Sequence, residues 1–151
     1  VGAPGNAGVA AAVKNTKGGI GYVEYAYATE NGMQTPQLEN RAKKFVKPTM
    51  AGFNAAATQA NWAGAANMAA SMINMSGDTT WPIVSATYVL VPKNPSDPAR
   101  AANVLKFFDW AFKSGAPAAD QLHYIALPKA VQDQVRTKWK AISANGQAVW
   151  K

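Results

Sequence analysis

The single histidine, His123, lies in the run Asp120-Gln121-Leu122-His123-Tyr124 and is the first place to look for proton-transfer or metal chemistry. Asp120, three residues earlier, stands within hydrogen-bond reach. Nothing else completes a metal set, because the chain has no cysteine and no second histidine, and carboxylates alone would have to supply the remaining ligands. His123 therefore reads as structural or merely exposed. Glu24 is the one charge inside Gly19-Ile20-Gly21-Tyr22-Val23-Glu24-Tyr25-Ala26-Tyr27-Ala28. It is either a carboxylate facing a cleft or a residue on the solvated side of a strand, and the alternation of strand faces favours the second. Tyr22, Tyr25 and Tyr27 could stack on a ligand ring, but they read as core, as do Trp81, Trp110 and Trp139.

Anion binding has its own places to look, since helix N-termini offer unpaired N–H groups and a favourable dipole. Gly5-Asn6-Ala7-Gly8 and Thr49-Met50-Ala51-Gly52 are the two such runs. The first is no P-loop, lacking the Gly-Lys-Ser/Thr that should follow, and capping accounts for both. No nucleophile sits beside a base. The sequence thus gives no catalytic residue, no metal site and no call for a cofactor, and it points away from an enzyme.

The net charge is +7, which raises the question of nucleic acid or another polyanion. Its distribution is diffuse: residues 1–78 hold six basic and four acidic groups, residues 79–151 nine and four. Arg41, Lys43, Lys44 and Lys47 form the one dense cluster, beside Phe45 and Val46, and it reads as a solvated edge. A basic interaction module is the alternative to be carried, but the aromatics are not interleaved with the cations and no nucleic acid is expected. The absence of cysteine excludes disulfides and does not fix a compartment. The longest apolar runs, such as Ala7 to Val13, fall far short of the roughly 20 residues that span a bilayer.

These groups must be held by elements of both kinds. A short helix capped by Asn6 or Gly8 should run to Val13 and stop at Gly18-Gly19. A strand over residues 20–28 should follow, rich in tyrosine and β-branched residues, and then a turn at Asn31-Gly32. Residues 37–40 and 44–46 suit short extended pieces. Thr49 suits the N-cap of a helix through Met50, Phe53, Ala56 and Ala57. Residues 61–77 give no clear pattern. A strand over Ile83 to Val91 precedes the clearest helix, Pro98 to Ser114, with Asp97 as N-cap, Pro98 in the permissive first position and Gly115 after its end. Ala101, Val104, Leu105, Phe108, Ala111 and Phe112 share its apolar face. A last helix after Leu127-Pro128 should bury Val131, Val135, Trp139 and Ile142 and expose Asp133, Arg136 and Lys140. The tail from Asn145 to Lys151 looks loosely held, with Trp150 packing somewhere. Such alternation favours an α/β layered architecture.

Three stretches also carry a resemblance: Gly18 to Ala28; Trp81-Pro82-Ile83-Val84-Ser85-Ala86-Thr87-Tyr88-Val89-Leu90; and Val104-Leu105-Lys106-Phe107-Phe108-Asp109-Trp110-Ala111. Together, in order and spacing, they resemble the periplasmic phosphate-binding proteins of ABC-type phosphate importers, over about Gly5 to Ile142. The resemblance is to the C-terminal half of that family's chain. It implies an α/β fold of the periplasmic-binding-protein kind with two lobes, residues 1–78 belonging to the second lobe and residues 79–151 returning to the first. Trp81 and Pro82 then mark the hinge. The family's phosphate loops, including a Ser-Gly-Thr turn, lie upstream, and no Ser-Gly-Thr occurs here, so no residue of this segment is expected to touch phosphate. The implied partners are inorganic phosphate, bound together with an N-terminal portion expected to accompany this chain, and the importer's membrane permease. The implied location is the periplasm.

Overall fold

The computed structural model describes residues 2–150. Helix α1 (Gly5–Asn15) leads to α2 (Tyr25–Glu30). A hairpin of β1 (Leu38–Glu39) and β2 (Phe45–Val46) follows, and then α3 (Met50–Gln59). A single 3₁₀ turn at Ala66–Met68 interrupts an otherwise irregular stretch before α4 (Pro98–Ser114), α5 (Ala116–Gln121) and α6 (Lys129–Trp139). A second hairpin, β3 (Ser143–Ala144) and β4 (Gln147–Ala148), completes the described chain. Both hairpins are antiparallel, with Leu38 opposite Val46 and Ser143 opposite Ala148. The fold is therefore mixed helix and strand, with helix dominating.

The long helix is set by its ends. The Asp97 carboxylate accepts from the Arg100 N–H at 2.9 Å, Pro98 occupies the first turn, and the Gly115 N–H closes onto the Ala111 carbonyl. Such a cap satisfies one of the four orphan donors at a helix start. Thr49 caps α3 in the same way, accepting from the Gly52 N–H at 3.1 Å. Helix α1 departs from expectation: Pro4, not Asn6 or Gly8, stands at its N-cap, and Asn6 lies inside the helix.

Two apolar clusters hold these elements. The first gathers Ala56, Ala57, Ala60, Trp62, Met68, Ala70 and Met72 with Val131 of α6, and Val84, Ala86, Ile125 and Leu127 pack against it. The second is Leu105, Trp139 and Ile142, covered by Val91, Phe108, Phe112 and Trp150. Val135 touches both clusters. Helix α6 is thus the shared wall, and it brings residues from both halves of the chain into one packing unit. Phe112 stacks on Trp139 at 5.7 Å, and Trp150 meets Trp139 edge to face at 5.0 Å. Each such aromatic pair adds about 0.5–1.5 kcal/mol beyond its buried area.

The two expected strands are where sequence and structure part. Residues 20–23 form no ladder, and the chain turns helical at Tyr25, burying Ala26 and Ala28. Ile20 and Tyr22 are almost fully exposed, so Tyr22 is not core. A lone segment in this position gains no ladder bonds from a pleat, whereas a short helix pairs its N–H groups internally. Residues 83–91 belong to no helix or strand; among the described residues no backbone hydrogen bond involves residues 83–92. Val84 and Ala86 turn inward while Ile83, Tyr88, Val89 and Leu90 face out. Burial alternates from Pro82 to Thr87 and then stops, with Tyr88, Val89 and Leu90 all exposed. Trp110 and Phe45 are likewise mostly exposed rather than core, and Trp81 is half-buried.

Two smaller corrections concern the C-terminal part. Arg136 is half-buried against Asp109 instead of standing in solvent. The tail from Asn145 forms a hairpin: Asn145 and Gly146 take φ of 52° and 76°, the left-handed pair that a two-residue turn requires. The expectation about the tail's last residue, Lys151, lies outside the described residues.

Candidate functional site

The proposed crossing at Trp81-Pro82 is fastened by a buried asparagine. Asn40, 4% exposed, caps the turn between β1 and β2 by accepting from the Ala42 and Lys44 N–H groups at 3.0 and 3.1 Å. Its amide nitrogen faces the opposite way and lies 3.1, 2.9 and 3.3 Å from the carbonyls of Gly77, Asp78 and Thr80. One side chain thus answers two sets of backbone groups that burial would otherwise leave unpaired. Thr80, almost wholly buried, donates to the Ser76 carbonyl at 2.7 Å.

The same stretch is pinned to α3 and to the irregular segment. The Trp81 N–H donates to the Gly52 carbonyl at 3.3 Å, and the Asn74 N–H donates to the Pro82 carbonyl at 2.8 Å. Pro82 is buried. Gly52 lets the chains approach closely, since a Cβ there would stand 2.9 Å from the Thr79 carbonyl oxygen. The structure therefore puts Trp81 and Pro82 together with Asn40 and Gly52. No local pattern marks Asn40, whose partners lie 37 to 40 positions away.

Glu24 and His123 also come together with their neighbours. Glu24 accepts a hydrogen bond from the Tyr124 hydroxyl, and its backbone N–H donates to Asn6 Oδ1 at 3.0 Å. Its carboxylate hydrogen bond is the main cause that pushes the Tyr124 phenol up from 10.0 to about 12. Tyr25 meets Phe53 edge to face at 5.2 Å and His123 at 6.2 Å. His123 takes a φ of 62°, and its backbone N–H, not its ring, bonds to Asp120, through the Asp120 carbonyl at 3.0 Å.

A third cluster is charged. Asp109 on α4 accepts from Lys113 at 2.6 Å and from Arg136 at 2.8 Å, and Arg136 also reaches Asp133 at 3.0 Å. Lys129 pairs with Asp133 at 2.9 Å, and the Arg136 guanidinium lies 5.5 Å from the Phe112 ring centre. These groups line an open depression of about 650 Å³ beside Trp150. The hydrogen bonds from Lys113 and Arg136 hold the Asp109 carboxyl below the usual carboxylate range. Its cations are spent on carboxylates, so the depression is an ion-pair network more than an anion trap.

The remaining candidates separate. Arg41, Lys43, Lys44 and Lys47 surround the exposed β1–β2 turn, and Lys43 pairs with Glu39 at 3.1 Å. The Thr49 run is occupied by its own cap. Among the described residues no group of three or more His, Cys, Asp and Glu is placed to hold a metal ion, and no helix is long and apolar enough to cross a membrane.

No family model matches the chain. Curated relatives do. It is 42% identical over 152 residues to phosphate-binding protein PstS of Pasteurella multocida, covering 99% of this chain and 44% of that protein. It is 42% identical over 139 residues to PstS of Haemophilus influenzae, with 92% and 42% covered. The PstS of Xylella fastidiosa is 40% identical over 139 residues, with 92% and 38% covered. The chain spans less than half the length of these relatives. With such identity along almost all of its own length, the chain is a PstS-like segment, and this homology implies a fold of the periplasmic-binding-protein kind.

Proposed function

We propose that this segment serves a solute-binding protein that captures inorganic phosphate in a cleft between two lobes and delivers it to an ABC importer in the periplasm. The observation that carries the reading is the 42% identity to PstS over 99% of the chain. Capture of this kind makes and breaks no covalent bond. Phosphate is held by hydrogen-bond donors in a closing cleft, and closure needs a joint. In this division of labour residues 1–78 belong to one lobe and residues 79–151 to the other, with Trp81 and Pro82 in the crossing. The phosphate donors come from the portion of the family's chain not present here, and this segment supplies cleft wall, joint and part of the surface that meets the permease.

Two features of the molecule favour that arrangement. Residues 83–92 form no helix or strand and, among the described residues, no backbone hydrogen bond, as a segment awaiting neighbouring strands would. Phe107 and Trp110 stand exposed on α4, a further apolar area suited to being covered.

The test is calorimetric titration with inorganic phosphate of two samples: this chain alone, and this chain joined to the remaining portion of a PstS protein. Binding by the joined protein only is the expected result. Binding by the lone chain would overturn the division of labour, and binding by neither would overturn the phosphate reading.

A further inference from the structure

Glu24 and Tyr124 are one hundred positions apart and stand on opposite sides of the Trp81-Pro82 crossing. Glu24 sits at the N-cap of α2, in the extended backbone that precedes the helix. Its carboxylate accepts the Tyr124 hydroxyl, and its own N–H is held by Asn6 of α1. The next residue, Tyr25, lies edge to face against both His123 and Phe53. Four side chains from three parts of the chain thus converge on one dipeptide.

The supporting backbone is shaped for this contact. The His123 φ of 62° lies in the left-handed region, an uncommon conformation for a residue with a side chain. It is held by the Tyr124 N–H donating to the Ala119 carbonyl at 2.8 Å and by the His123 N–H donating to the Asp120 carbonyl at 3.0 Å. That turn aims Tyr124 toward α2. Strained turns of this type persist where surrounding contacts fix them, and they cluster at functional positions. The contact is directional, whereas the apolar packing of Val131, Ile125 and Leu127 on the first cluster is not.

We infer that Glu24 and Tyr124 form a clasp that sets the angle between residues 1–78 and residues 79–151, made in one state of the cleft and broken in the other. The clasp as a lobe-to-lobe device rests on the two-lobe reading above; the contact itself does not. A phenol donating to a carboxylate is a charge-assisted bond, among the stronger ones a protein makes, yet this one is partly exposed and can be exchanged for water. Those two properties suit a reversible catch. The edge-to-face contact of Tyr25 with Phe53, which lies within residues 1–78, keeps the dipeptide in place when the hydroxyl lets go.

The chain has no cysteine, so spin labels can be placed without background. Labels at Glu30→Cys and Gln121→Cys, both exposed, report the distance between α2 and α5 by double electron–electron resonance. A single short distance is expected in the parent chain. With Tyr124→Phe the ratio of clasped to unclasped distances should fall roughly tenfold, the effect of losing a hydrogen bond to a charged group. Glu24→Gln, which keeps a neutral acceptor, should give a smaller change in the same direction.

An unchanged distribution in both variants would overturn the clasp. Far-UV circular dichroism and Trp139–Trp150 fluorescence should match the parent, which separates an opened clasp from an unfolded chain. If Tyr124→Phe fails to fold, Glu24→Gln alone decides. The measurement needs no phosphate, so its failure is distinct from the failure of the phosphate titration.

Discussion

Arg136 Nε donates to Asp109 Oδ1 at 2.8 Å, and this one contact fastens α6 to α4 through half-buried groups. Lys113 completes the carboxylate from the other side, and Phe112 lies under the guanidinium. Arg136→Ala removes the bond and the stacking together. It should destabilise the chain by about 1–2 kcal/mol, measured by urea unfolding. Arg136→Lys should recover only part of this, since a point charge does not reproduce the planar fork.

The same carboxylate gives an acid dependence with a definite sign. Its pKa is depressed in the folded chain, first by the Lys113 hydrogen bond and then by that of Arg136. Its stabilisation is therefore fully present above the unfolded value of 3.8 and is lost as pH falls through the lower, folded value. Unfolding free energy should drop in acid for the parent chain. Asp109→Asn should flatten that part of the curve, and an unchanged slope would contradict the assignment.

Tyr124 gives the opposite case at the alkaline end. A phenol raised from 10.0 to about 12 holds its proton more tightly when folded. The stability it contributes is complete below pH 10 and is lost as pH rises toward 12. Unfolding curves of the parent and of Tyr124→Phe should converge over that window. Tyrosinate absorbance should show one phenol titrating late, and this late component should vanish in the variant.

Asn40→Ala should be the most damaging single change near the crossing. It deletes the acceptor for two turn N–H groups and the donor facing three carbonyls, that of Thr80 in a buried contact and those of Gly77 and Asp78 in part-buried ones. A loss of about 2–4 kcal/mol is expected from denaturant unfolding. Asn40→Asp keeps the acceptor and presents negative charge to the carbonyls, so it should not rescue. A cost under about 1 kcal/mol for Asn40→Ala would show that water replaces the side chain easily.

Residues 83–92 should exchange their amide hydrogens fast, because no backbone partner protects them among the described residues. Leu90 is 92% exposed. Leu90→Lys should then lower self-association, read by light scattering, with little change in unfolding free energy. Slow exchange across this stretch would mean that the strand has found a partner.

How much of this was legible depends on the range of each interaction. Helix α4 could be read from Asp97, Pro98 and Gly115, and α3 from Thr49, since caps are local chemistry. The extended pieces over residues 37–40 and 44–46 were legible locally, but their pairing as β1 and β2 was not. Residues 20–28 depart from the expected strand because tyrosine and valine suit a pleat only when neighbouring strands are there to pair. Asn145-Gly146 is a local hairpin-turn signal, since both residues tolerate the positive φ they adopt. The site was harder: Trp81 and Pro82 stood out only through family resemblance, while Asn40 and the Glu24–Tyr124 contact depend on partners 40 and 100 positions away. No period or cap records such distances.

The Asn40 buckle has a mechanical consequence for the joint. Gly77, Asp78 and Thr80 are bonded to Asn40, Trp81 to Gly52, and Pro82 to Asn74. Residues 77–82 are therefore tied to the segment before them, and among the described residues the backbone hydrogen bonds of this stretch stop at Pro82. In the two-lobe arrangement proposed above, the freedom for a swing would lie past the proline, limited by Val84 and Ala86 on the first cluster and by the Tyr88 hydroxyl donating to the Ala70 carbonyl at 3.4 Å. Locking a torsion there, as Ser85→Pro would, should stiffen the swing, whereas softening position 82 should leave it nearly untouched.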